Sequence, residues 1–160
     1  EEKTMSSDAI FPEDTVELVK SHVREVDDFP ARGVLFRDIT PLIADGEAFS
    51  SLIQILADRY RGKCDAVAGL ESRGFILDYD LEYGSARMEL QPFTVEDGMR
   101  VLVIDDVLAT GGTAGAAFHL IEKAGGKPAG LCVLLELTEL NGRGYLGERY
   151  EYPVESVISY

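Results

Sequence analysis

The stretch VLVIDDVLATGGT (101–113) concentrates the residues best suited to chemistry. A buried apolar strand ends in two carboxylates, Asp105 and Asp106, and a loop with Gly111-Gly112 between Thr110 and Thr113 then enters a helix. Glycine lets the main chain approach an anion closely, and a helix start offers unpaired N–H groups at the positive end of its dipole. Threonine hydroxyls add donors. The ligand that fits is a phosphate at the carboxyl end of a strand, the usual ligand edge of an open α/β sheet. The loop lacks the Lys of G-x-x-x-x-G-K-[ST] and is no G-x-G-x-x-G. Two carboxylates would repel a phosphate unless they face something neutral or cationic. A sugar diol fits, because carboxylates accept hydrogen bonds from hydroxyls, and Mg²⁺ would lower the repulsion further. A Gly-Gly turn alone would read as an ordinary strand-to-helix corner with surface aspartates; the thirteen residues together favour the ligand site.

The elements that must carry this loop follow from hydrophobic periodicity. Residues 1–9 are polar and patternless. From Pro12, Val16, Val19, Val23 and Val26 recur at helical steps, with acidic Glu13 and Asp14 at the start. DDFPARG (27–33) predicts a turn and GVLFRDIT (33–40) an extended segment. A second helix is expected from about Gly46 to Tyr60, with Phe49, Leu52, Ile53, Leu56, Ala57 and Tyr60 on one face. AVAGL (66–70), SARMELQ (85–91), VLVID (101–105), AGLCVLLE (129–136) and VESVIS (154–159) read as strands. The helix after the glycines would bury Ala117, Leu120, Ile121 and Ala124. Strand, Gly-rich turn, helix, strand argues for an α/β protein with a mainly parallel sheet flanked by helices.

The 160 residues fit a single domain better than two. With 15 Lys and Arg against 29 Asp and Glu, the net charge is −14, which disfavours non-specific nucleic-acid binding. No apolar run reaches membrane-spanning length, and the acidic start lacks the form of a signal peptide. Cys64 and Cys132 lie in apolar stretches and are expected to be reduced core residues of a cytoplasmic protein. His22 and His119 have no cluster around them and are expected to be structural or surface residues.

VLVIDDVLATGGT resembles the phosphoribosyl pyrophosphate motif of the type I phosphoribosyltransferases. FPARGVLFRDITPL (29–42), AGLESRGF (68–75) and YDLEYGSARMELQ (79–91) resemble segments of the adenine phosphoribosyltransferases, in the same order. The resemblance runs from about Val16 to the C-terminus. It implies a type I phosphoribosyltransferase fold over residues 1–160, with a small N-terminal hood within 1–40. It also implies a purine-salvage transferase that converts adenine and phosphoribosyl pyrophosphate to AMP and pyrophosphate. Mg²⁺ would be held mainly through the substrate, with no metal ligand supplied directly by the protein, and the enzyme would be a homodimer.

Carried onto this chain, the resemblance puts the 5′-phosphate on Ala109, Thr110, Gly111, Gly112 and Thr113 and the ribose hydroxyls on Asp105 and Asp106. Arg73 and the Ser72 turn would hold pyrophosphate, and Leu35, Phe36 and Arg37 would form the adenine pocket. Glu82 would handle the purine N7 proton or stabilise charge on the ring, and Tyr83 would close over the substrate. Two other readings stay open: a non-catalytic sensor of phosphoribosyl pyrophosphate or AMP, and a transferase for a 6-oxopurine.

Between Leu77 and Asp78 the chain departs from the pattern. A parallel crossover needs about a dozen residues or more, yet GFIL runs almost directly into DYDLEYG. The resemblance implies a helix, a strand and a Lys/Arg-rich flap at that point. The expectation is that the protein itself carries such a segment between Leu77 and Asp78, since losing it would expose apolar surface.

Overall fold

The structure is a computed structural model and describes residues 10–29, 31–70 and 95–160. Ser72, Arg73, Glu82, Tyr83, the Leu77–Asp78 junction, the SARMELQ strand and residues 1–9 lie outside the described residues. The chain divides into two units, one up to Arg61 and one from Gly62 to Tyr160.

In the first unit, helix α1 spans Glu13–Ser21, strands β1 and β2 span Arg24–Val26 and Phe36–Asp38, and helices α2 and α3 span Thr40–Ala44 and Gly46–Tyr60. The first helix is shorter than the valine spacing predicts. His22 caps it, donating from Nδ1 to the Leu18 carbonyl at 2.8 Å. Val26 instead joins the antiparallel β1–β2 pair opposite Phe36. The extended stretch at 33–40 narrows to three paired residues, because Asp38 accepts the Thr40 N–H at 2.8 Å and α2 follows, with Pro41 in its first turn.

Helix α3 matches its predicted limits. Asp45 caps it, accepting the N–H groups of Glu47 and Ala48 at 3.1 and 3.0 Å. Its buried stripe is Ala48, Leu52 and Leu56, one residue per turn, narrower than the predicted face. Phe49 and Ile53 are exposed, because α1 and α2 cover only one side of the helix. Asp45→Ala is expected to lower the melting temperature by a few degrees, through two orphaned N–H groups and the lost contact to His22 Nε2. A thermal scan of the variant checks this.

In the second unit, β3 (Ala66–Gly69), β4 (Arg100–Leu108), β5 (Lys127–Glu136) and β6 (Val154–Ser159) form a parallel sheet in the order β3-β4-β5-β6. Helix α4 (Gly112–Lys123) packs on β4 and β5, burying Phe118, Leu120 and Ile121. Ala124 is exposed, contrary to the predicted face, because it is the C-cap and Gly125 turns the chain at φ +90°. Between β5 and β6 lie a 3₁₀ turn at Thr138–Leu140 and a short helix α5 at Gly142–Gly147. Neither carries enough apolar periodicity to be read from sequence. Cys132 is buried in β5, as expected, whereas Cys64 is only half-buried in the turn before β3. At the opposite end of β4 from the loop, Arg100 forks onto Asp65 at 3.0 and 2.6 Å, holding that carboxyl near pH 2 in its titration.

Candidate active site

Strand β4 delivers the phosphate loop to the carboxyl edge of the sheet. Asp105, Val107, Leu108, Ala109, Thr110, Gly111, Thr113 and Ala114 line a hollow of about 310 Å³, counting its open mouth, with Leu131 and Val133 of β5 as its floor. The loop and the start of α4 are thus brought together, and Thr110 and Thr113 are exposed to an incoming ligand. Gly112 follows directly at the first position of α4.

Gly111 sets the shape of the loop. It holds φ +84°, a left-handed conformation that costs an L-residue about 1–2 kcal/mol. It is the N-cap of α4, and no side chain caps the helix there. The first amides of α4, at Gly112, Thr113 and Ala114, therefore have no carbonyl partner within their own helix. Oriented N–H groups at a helix start, beside two hydroxyls, make a receptor for a phosphate dianion.

The two aspartates are not equivalent. Asp105 is half-buried and lines the hollow, accepting the Asp106 N–H at 2.9 Å. Burial, with the Asp106 carboxylate as a lesser contributor, raises its pKa to about 6. Asp106 is exposed and does not line the hollow, as the alternation of side chains along a strand requires. A carboxyl raised in this way stabilises the folded state at pH below its ordinary value of 3.8, and that contribution is lost as the pH rises through 6.

What lies behind the loop has no signature of its own in the sequence. The position of Gly142 has no room for a side chain: a Cβ there would stand 2.3 Å from the Ala109 carbonyl oxygen and 3.0 Å from the Gly111 nitrogen. A Cβ on Gly111 would stand 2.7 Å from the Gly142 carbonyl oxygen. The two main-chain segments therefore touch directly, and the start of α5 forms the back wall of the loop. Val107, Leu108, Leu131 and Val133 were likewise not foreseen as site residues, because apolar strand residues look the same whether they face a core or a ligand.

The expected adenine residues belong to the first unit. Leu35 and Phe36 are 40% and 41% exposed, and Phe29 meets the Phe36 ring edge-on at 5.1 Å. Arg37 is mostly buried, its Nε 3.6 Å from Glu25 Oε1. An exposed phenyl face beside main-chain donors and acceptors is suited to a flat heterocycle.

Comparison with known proteins converges on one family. The family described as Phosphoribosyl transferase domain matches residues 82–157. The adenine phosphoribosyltransferase of Sorangium cellulosum is 40% identical over 184 residues, covering 96% of this chain and 92% of its own. That of Chloroflexus aurantiacus is 44% identical over 169 residues, covering 88% and 96%. The solved adenine phosphoribosyltransferase of Thermoanaerobacter pseudethanolicus superposes with a TM-score of 0.78 at 35% identity, over 91% of this chain and 99% of the other. With identity of this level spread over most of both sequences, and the strand, loop and helix of the hollow inside the matched region, the chain belongs to the adenine phosphoribosyltransferase family.

Proposed function

We propose that this protein joins adenine to phosphoribosyl pyrophosphate, forming AMP and releasing pyrophosphate, in a route of purine salvage. The observation that carries the reading is the uncapped, glycine-threonine start of α4 with Asp105 beside it, in a chain of this family. The loop from Ala109 to Thr113 binds the 5′-phosphate and fixes the sugar in place. Asp105, with Asp106, accepts hydrogen bonds from the ribose hydroxyls. As the C1–oxygen bond to pyrophosphate breaks and the bond to adenine forms, positive charge develops on the ring, and these carboxylates stabilise it.

Arg73 and the Ser72 turn hold the departing pyrophosphate, Glu82 manages the N7 proton of the purine, and Tyr83 covers the substrate. Leu35, Phe36 and Arg37 bind the base. Among the described residues no three acidic, histidine or cysteine side chains gather into a metal cage. Carboxylate oxygens at the end of β4 nevertheless suit Mg²⁺, held mainly by substrate oxygens and water. Bound there, Mg²⁺ supplies neutralisation of the leaving pyrophosphate charge.

The test is pyrophosphate release from phosphoribosyl pyrophosphate with adenine, hypoxanthine, guanine and xanthine in turn. Adenine is expected to be much the fastest; a preference for a 6-oxopurine would overturn the choice of base. Phe36→Ala is expected to raise the KM for adenine about 3- to 10-fold through lost stacking, with the KM for phosphoribosyl pyrophosphate little changed. Steady-state kinetics of the variant checks it. The alternative reading is binding of AMP without turnover. AMP binding with no pyrophosphate release from any purine would decide for it.

The protein is further proposed to act as a cytoplasmic homodimer. Neither Cys64 nor Cys132 is in a disulfide, which suits a reducing compartment, and no helix among the described residues is long and apolar enough to cross a membrane. Exposed Ile43, Phe49 and Ile53 in the first unit suit a covered face. Sedimentation analysis tests the dimer, and a monomer at micromolar concentration would refute it.

A further inference from the structure

Glu136, the last residue of β5, is 5% exposed and pairs in register with Leu108, the residue at which β4 gives way to the phosphate loop. A buried carboxylate is costly unless it is matched. It is matched by Arg143, which donates from Nε to Oε1 at 2.9 Å and from Nη2 to Oε2 at 2.5 Å, while Ser156 Oγ donates to Oε2 at 2.7 Å. Arg143 Nη1 also donates to the Val154 carbonyl of β6. One guanidinium therefore ties the first turn of α5 to the end of β5 and to the first half of β6. The pair holds the Glu136 carboxyl below its ordinary range.

The residue just before this arginine is Gly142, the one in main-chain contact with Ala109 and Gly111. Any drift of α5 away from the sheet would remove the back wall of the loop, and any drift towards it would crush the loop. We propose that Arg143, locked by Glu136, is a positioning residue for the phosphate-binding loop, acting through Gly142 and not by touching the ligand. The guanidinium is already committed to Glu136, Ser156 and Val154, so its charge serves the scaffold. This inference rests on the reading of residues 109–113 as the 5′-phosphate site.

The experiment uses the protein itself and calorimetric binding of AMP and of adenosine, which lacks the phosphate. Arg143→Lys keeps the charge but loses the two-pronged fork, and Glu136→Gln keeps the shape but loses the charge. Arg143→Met with Glu136→Leu removes both charges, so that no buried charge is left alone if a single variant fails to fold. Folded variants are expected to bind AMP at least 10-fold more weakly than the parent, with adenosine affinity changed less than twofold. Folded variants with parental AMP affinity, or with equal losses for AMP and adenosine, would overturn the proposal. Thr110→Val with Gly111→Ala serves as the reference. If that variant weakens AMP binding and the Arg143 variants do not, only the positioning role fails. If it too binds AMP normally, the phosphate-site reading falls, and the proposal with it.

Discussion

Gly142→Ala is expected to weaken AMP binding about 10- to 100-fold, although residue 142 does not line the hollow. The added Cβ would lie 2.3 Å from the Ala109 carbonyl oxygen, 2.9 Å from Leu108 Cδ1 and 3.0 Å from the Gly111 nitrogen. Two of those atoms are backbone, which cannot swing aside as a side chain end would. Overpacking of this kind typically costs about 1–3 kcal/mol, and relief requires moving either α5 or the loop. Helix α5 is held by Arg143, so the loop is the part expected to yield, and its amides would leave their common focus. Gly111→Ala should behave similarly, with the cost of its positive φ added. Calorimetric titration with AMP, beside a melting curve that reports folding, measures both variants. A folded Gly142→Ala protein with parental affinity would show that the back wall does not shape the loop.

The second large effect is on pH. Asp105 has its pKa raised to about 6, so below that pH it loses the negative charge with which, on the proposed function, it accepts hydrogen bonds from ribose hydroxyls. The Asp105 contribution alone is expected to lower AMP affinity as the pH drops from 7 to 5, towards 10-fold per pH unit at the acid end. The phosphate of AMP has its own second pKa near 6 and contributes to the fall. Asp105→Asn separates the two, because its profile retains only the ligand's titration. The difference between the profiles is the Asp105 contribution, and parallel profiles would remove that residue from the ribose site. Folding stability responds with the opposite sign: acidification favours the neutral carboxyl in its half-buried place, so Asp105 by itself makes the apo protein more stable at pH 4 than at pH 7. Carboxylates with lowered pKa values, such as Asp45 and Glu136, act in the other direction as the pH falls.

How much of this was legible in the chain depends on how local the cause is. Strands β4, β5 and β6, helix α3 and the start of α4 follow from apolar runs, one acidic cap and a glycine pair, all short-range signals. Val26 misled, because a valine spaced for a helix is equally at home in a strand, and pairing with β2 decided the matter, while Val23 lies in the turn between α1 and β1. Phe49 and Ile53 misled for a related reason: periodicity shows which side of a helix is apolar, while the neighbours decide how much of it is covered.

The residues that could touch a ligand were largely apparent from their types. A strand carrying Asp105-Asp106 near its end, followed by threonines around a glycine pair, is the pattern from which a receptor for a phosphorylated sugar is read, since donor count, backbone freedom and charge are local properties. Tertiary structure decided which aspartate faces the hollow, because that depends on the face of β4 turned to α4. It also decided that Asp105 titrates near 6, because desolvation is set by the surroundings as a whole. Gly142 and the Arg143–Glu136 pair lie some thirty positions beyond the loop they support, and no pattern of residue types connects them to it. Only the parallel pairing of β4 with β5, which sets Leu108 opposite Glu136, brings those distant segments into contact.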